Sequence, residues 1–127
     1  MLPKKIITPK VPPIKIQGIK TKLVPFIAES IKWDGQGTYF EPFMGSGVVG
    51  FNLEPQKAIF SDTNPYIIQF YKDIQSKKIT AQTVRTFLEN EATKLSSTPA
   101  DKTSYYYEVR DRFNKEHSSL DFLFLSL

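Results

Sequence analysis

The densest chemistry in this chain of 127 residues lies in Phe43-Met44-Gly45-Ser46-Gly47, with Asp62 placed 17 residues beyond Gly45. A glycine pair at the end of a short strand lets the backbone turn sharply and come close to a ligand. An acid at the end of the next strand can accept two hydrogen bonds from ribose hydroxyls, and this spacing is near that of nucleotide-binding sheets. Gly45-Ser46-Gly47-Val48-Val49-Gly50 has the bare glycine spacing of GxGxxG, a weak signal alone, with its third glycine where a helix packs. No Gly-Lys-Ser/Thr follows, as a P-loop requires. Two readings stand: a nucleoside site, or a tight turn with a surface aspartate that helps to cap a helix. Glu41, at the end of the same first strand, suits a cationic or polar part of a ligand, or else plain surface.

These residues need strands and helices to hold them, and the pattern supplies both. Thr38-Tyr39-Phe40 is β-prone, Val48 to Leu53 is apolar enough for a buried helix, and Ala58-Ile59-Phe60 is a second strand closed by Asp62. Upstream, Leu23, Phe26, Ile27 and Ile31 repeat with helical spacing; Thr21 is placed to cap that helix and Asp34-Gly35-Gln36-Gly37 to end it. Downstream, Asn64 caps and Pro65 opens a helix with Ile67, Tyr71 and Ile74 on one face. Residues 21 to 76 thus alternate as a parallel α/β sheet does. The rest is all-helical: Val84, Phe87, Leu88 and Leu95 form one stripe, ended by Ser96-Ser97-Thr98-Pro99, and Tyr106, Val109 and Phe113 form another. The expected organisation is residues 1–78 as N-terminal arm and α/β part, and 79–127 as a helical segment.

Composition removes several classes. No cysteine means no disulfide scaffold, thiolate metal site or cysteine nucleophile, and a lone histidine, His117, argues against a histidine metal cage or a serine triad. No metal site is expected, and His117 reads as surface. No apolar run approaches the roughly 20 residues of a membrane span, and no signal-peptide core follows Met1, so a cytoplasmic protein is expected. Of the basic residues behind the net charge of +4, Lys4, Lys5, Lys10, Lys15, Lys20, Lys22 and Lys32 lie in the first quarter. Pro3, Pro9, Pro12 and Pro13 make its opening extended: either a fraying terminus or an electrostatic arm near phosphates.

Here the residues carry a resemblance. Tyr39-Phe40-Glu41-Pro42-Phe43-Met44-Gly45-Ser46-Gly47 resembles the S-adenosylmethionine motif of Dam-type DNA adenine-N6 methyltransferases, an apolar pair, Glu-Pro-Phe, any residue, then Gly-Ser/Ala-Gly. Ser61-Asp62-Thr63-Asn64 with Ile67, Ile68 and Tyr71 is similar to their second motif. Pro13-Ile14-Lys15-Ile16-Gln17-Gly18-Ile19-Lys20 resembles their N-terminal Lys-Trp-x-Gly-Gly-Lys segment. Tyr106-Tyr107-Glu108-Val109-Arg110-Asp111-Arg112-Phe113-Asn114 resembles the Tyr-Tyr…Arg…Phe-Asn stretch that opens their DNA-recognition region, and Leu123-Phe124-Leu125 matches the helix after it.

The resemblance implies a partial Rossmann-like methyltransferase fold with S-adenosylmethionine as cofactor and double-stranded DNA as partner. It implies that Asp62 binds the ribose hydroxyls, with Thr63 beside the adenine. Gly45, Ser46 and Gly47 form the loop under the cofactor, Phe43 packs near its methionine portion, and Glu41 and Pro42 sit at the strand end. Gln17, Gly18 and Lys20 close over it. Arg110 and Asn114 face DNA. The bland counterparts are a core phenylalanine at 43, an exposed lysine at a helix start at 20, and a solvated helix face at 110 and 114.

Two departures stand out. Ile16 replaces the family's tryptophan and Ile19 its second glycine, so a flat stacking wall is lost. The catalytic Asp/Asn-Pro-Pro-Tyr/Phe motif is absent; Pro12-Pro13 lies between Val11 and Ile14, at the wrong end. With two convincing strands and an apolar ending (Leu120, Phe122 to Leu125, Leu127), the chain reads as half a fold. It is expected to be inactive alone, with no catalytic residues of its own, its catalytic half being a continuation or a separate chain. The alternatives are a non-catalytic DNA-binding or interaction module, part of a cytosine-N4 methyltransferase, and a different nucleotide-binding protein.

Overall fold

The computed structural model describes residues 4–16, 18, 20–97 and 102–127. They fall into two compact units, Met1–Asn64 and Pro65–Leu127.

In the first unit, strands β1 (Tyr39–Glu41) and β2 (Ala58–Phe60) pair in parallel, Tyr39 opposite Ala58, Phe40 opposite Ile59 and Glu41 opposite Phe60. Helix α2 (Val48–Leu53) makes the crossover, with the bounds its apolar run predicts. Strand side chains alternate: Phe60 turns towards α2, its ring 5.1 Å from that of Phe51, whereas Phe40 and Ile59 face outward, 65% and 54% exposed. Helix α1 (Val24–Ser30) packs on α2, and Ala28 and Leu53 form a core joined by Ile6, Ile31, Trp33, Tyr39 and Val49.

α1 departs from its expected face. Val24 and Ala28 are buried, while Leu23 and Phe26 are exposed. A single 3₁₀ turn, Thr21–Leu23, precedes the helix, so a period counted from Leu23 starts on the wrong phase. Thr21 caps nothing, because the cap position is Leu23 and carries no side-chain bond; the helix ends at Ser30, ahead of Asp34.

From Lys4 onward, among the described residues, the lysine- and proline-rich opening is non-helical, as expected, and it is tied down along its length. Ile14 is fully buried, and the Lys4 N–H donates to the Ala28 carbonyl at 3.2 Å. Asn52, buried in α2, grips Lys10 from both sides. Its Oδ1 accepts the Lys10 N–H at 2.7 Å, and its Nδ2 donates to the Lys10 carbonyl at 3.0 Å.

The second unit is helical: α3 (Pro65–Gln75), α4 (Ala81–Ser97), α5 (Lys102–Glu116) and α6 (Ser119–Leu125). α3 buries Ile67, Phe70 and Asp73, with Tyr71 half-buried and Ile74 largely open, so its inner face is rotated from the expected stripe. The cause is polar: Ser119 Oγ donates to Asp73 Oδ2 at 2.7 Å and Gln69 Nε2 to Oδ1 at 2.8 Å, pulling Asp73 inward. Arg112 of α5 ties α4 to α6, bonding Asp121 at 2.6 and 2.9 Å and Glu91 at 3.1 Å. The apolar ending does not stand free: Leu123 is buried and the Phe122 ring lies 5.8 Å from that of Phe113, leaving Leu127 exposed. His117 lies on the surface in the left-handed region, its ring stacked on Tyr66 at 5.2 Å.

Candidate cofactor site

The site is built where β1 and β2 end. Pairing continues past the strands: the Ser61 N–H donates to the Glu41 carbonyl and the Met44 N–H to the Ser61 carbonyl, both at 3.0 Å. Ser61 Oγ reaches the Pro42 carbonyl at 3.1 Å, which holds the 42–47 turn against the second strand end. Buried Met44 and Ser46 anchor the turn from within, while Pro42 and Phe43 point outward, Phe43 80% exposed. A core position for Phe43 is thereby ruled out.

Gly45 and Gly47 both adopt positive φ, 53° and 80°. Gly47 is the residue before α2, where a Cβ would fall 2.3 Å from the Phe51 ring, so a glycine is needed for conformation and space alike. At Gly45 a Cβ would meet only Ile16, at 4.0 Å. The N-terminal segment therefore does pass beside the glycine loop, with an aliphatic group where a flat ring was missing.

Asp62 closes the turn. Its Oδ2 accepts the Gly45 N–H at 2.9 Å and its Oδ1 the Asn64 N–H at 2.9 Å. A carboxylate offers about four lone-pair sites. The two N–H bonds leave one on each oxygen, which is what a vicinal diol needs. Thr63 beside it is exposed. Asp62 thus has a structural part in the turn and spare accepting capacity at its half-buried surface.

Glu41 turns the other way, under α2. Its Oε1 accepts the Tyr39 O–H at 2.6 Å, and it also accepts the Gly50 N–H, one of the unpaired donors in the first helical turn. Burial pushes its carboxyl above the usual range, against those two bonds and the nearby charge of Lys20. Burial first, then the carboxylate, pushes the Tyr39 phenol up in turn. Glu41 therefore fixes the start of α2 to the first strand.

Of the remaining predicted residues, Gly18 and Lys20 are exposed, Gly18 at φ 80°, and Gln17 lies outside the described residues, as does Ile19. Arg110 and Asn114 are exposed on α5, in the other unit. Sequence reasoning missed Tyr39 and Asn52. The first was detectable, since residues two apart on a strand share a face. So was the second, as an amide inside an apolar hexamer must find partners. No helix among the described residues is long and apolar enough to cross a membrane.

The sequence profile of the D12 class N6 adenine-specific DNA methyltransferases matches residues 17–126. The chain is 32% identical over 118 residues to the type II methyltransferase M.MjaIII of Methanocaldococcus jannaschii, covering 87% of this chain and 40% of that protein. It is 36% identical over 61 residues to the type II methyltransferase M1.LlaDCHI of Lactococcus lactis subsp. cremoris, covering 48% of this chain and 21% of that protein. The chain thus spans less than half the length of these relatives. No solved structure matches it. With a profile match over nearly its whole length, and a glycine turn locked to an acid at paired parallel strand ends, the chain belongs to the D12 class of N6 adenine-specific DNA methyltransferases.

Proposed function

We propose that this chain is the S-adenosylmethionine-binding, N-terminal part of a site-specific enzyme that methylates adenine N6 in double-stranded DNA, and that alone it is inactive. The observation that carries the reading is the Asp62–Gly45 clamp, which brings a carboxylate with spare lone pairs to a glycine turn at the ends of two parallel strands. In this reading Asp62 holds the ribose hydroxyls and Thr63 lies beside the adenine. Gly45, Ser46 and Gly47 bring the backbone beneath the cofactor, and exposed Phe43 packs near its methionine portion. Gln17, Gly18 and Lys20 close over it. Glu41 and Pro42 act at the strand end, Glu41 through α2. The cofactor supplies a methyl group on a sulfonium that is already a good leaving group, so the protein's task is to position the amine and the methyl carbon.

The chain holds no Asp/Asn-Pro-Pro-Tyr/Phe motif to grip a flipped base. A further part, as continuation or separate polypeptide, would supply it. The open edges of β1 and β2 and the outward Phe40 and Ile59 support a Rossmann-like sheet that gains neighbours from that part. Residues 1–78 would form the arm and cofactor part, and 79–127 would begin DNA recognition through Arg110 and Asn114. The setting would be restriction–modification in a bacterial-type cytoplasm.

Calorimetric titration of S-adenosylmethionine, with NAD and ATP as competitors, tests the cofactor assignment. Saturable binding lost in a folded Asp62→Ala variant is expected; unchanged affinity in that variant overturns the site. Methyl transfer to DNA by the chain alone would overturn the claim of inactivity.

A further inference from the structure

α5 carries more than the two residues assigned to DNA. The guanidinium carbon of Arg110 lies 4.5 Å from the ring centre of Tyr107, one turn earlier. Tyr106 meets that ring edge-on, at 5.8 Å and 75°. On the other side, Arg110 Nη2 is 3.5 Å from Asp111 Oδ1. All are open to solvent, Tyr107 at 46% exposure and the Arg110 and Asp111 side chains at 50% and 66%. Exposed Asn114 follows one turn on.

A free arginine side chain has about 2 kcal/mol of rotamer entropy to lose when it binds. Here the guanidinium is already held over a ring. A ring takes the place of no oxygen acceptor, so N–H donors remain for two oxygens of one phosphate. Asp111 is a weak rival: 3.5 Å is longer than the roughly 2.7–2.9 Å of a charge-assisted hydrogen bond. An exposed pair of this kind contributes about 0–1 kcal/mol.

We propose that Tyr107 is a positioning residue that presents the guanidinium edge of Arg110 to a DNA phosphate, and that Asp111 is the internal acceptor which the phosphate displaces. The proposal rests on reading Arg110 as a DNA contact, and the experiment separates the two.

Fluorescence anisotropy with a labelled duplex oligonucleotide, across a salt series, would be measured for the full chain and its variants. Circular dichroism would confirm that each keeps its helices. Arg110→Ala should weaken binding and flatten the log–log salt slope by about 0.9, one phosphate contact. Tyr107→Ala should weaken binding roughly two- to five-fold, the size of an exposed cation–π contact, and Tyr107→Phe should restore it. In the Arg110→Ala background Tyr107→Ala should add nothing. Asp111→Asn should tighten binding up to about five-fold, again only with Arg110 present.

Unaltered binding in Arg110→Ala, or no salt-sensitive binding by the chain, overturns the contact and the proposal together. A weakened Arg110→Ala with Tyr107→Ala equally harmful in both backgrounds, or Tyr107→Phe as weak as Tyr107→Ala, overturns the positioning role alone. A gain from Asp111→Asn that survives Arg110→Ala assigns Asp111 to general repulsion and overturns its part.

Discussion

Arg112→Ala is the most informative perturbation of the helical unit. The Glu91 and Asp121 side chains are only 4% and 3% exposed, and Arg112 is bonded to both; Lys94, 3.8 Å from Glu91 and well exposed, is the other nearby cation. Removing one partner of a buried pair typically costs about 3–5 kcal/mol, because a carboxylate is left desolvated without a counter-charge. The Arg112 side chain is 34% exposed, so water reaches its end of the cluster and the expected loss is about 3 kcal/mol, the lower end of that range. Urea unfolding followed by far-ultraviolet circular dichroism measures it.

A loss below about 1 kcal/mol would refute the reasoning.

Other outcomes follow from single contacts. Asn52→Ala removes three hydrogen bonds, two to Lys10 and one to the Val48 carbonyl, and should cost about 2–3 kcal/mol at roughly 1 kcal/mol each; urea unfolding read by the fluorescence of Trp33, the single tryptophan, reports it, and the Lys10 amide should lose exchange protection. Gly47→Ala should destabilise by about 1–2 kcal/mol from its left-handed φ of 80°, with Phe51 displaced as well, and should weaken S-adenosylmethionine in calorimetry. The Ser119 hydroxyl, more than Gln69 and Lys78, holds the Asp73 carboxyl below the usual range. Its stabilisation is full above the ordinary aspartate value near 4 and is lost as pH falls through the depressed one; acid titration of Ser119→Ala should show a smaller loss.

The strand–turn–helix–strand frame was legible because each piece is local: α2 and β2 match their apolar runs residue for residue. The positions of Gly45, Gly47 and Asp62 were legible from type and spacing, though not the bond by which Asp62 fastens Gly45. What failed was phase and partnership. α1 was misread because a 3₁₀ turn has three residues per turn, not 3.6. The inner face of α3 was misread because a hydrophobic stripe was sought where an aspartate is drawn in by a serine 46 residues away. Such a contact leaves no mark in a local window. The opening segment was read by charge and proline alone, and its anchor is one amide far along the chain.

That anchor also orders events in time. The Lys10–Asn52 contact spans 42 residues, so the opening segment is synthesised well before the helix that grips it. Until α2 forms, Ile14 has no α2-anchored strap to seat it, and the stretch waits as an extended chain, its prolines limiting how far it can stray. Docking then closes a long loop, an entropic cost that contacts within the helical unit, such as Arg112 with Asp121 nine residues on, largely escape. On loop-closure entropy alone, the strap is expected among the last parts of its unit to become native.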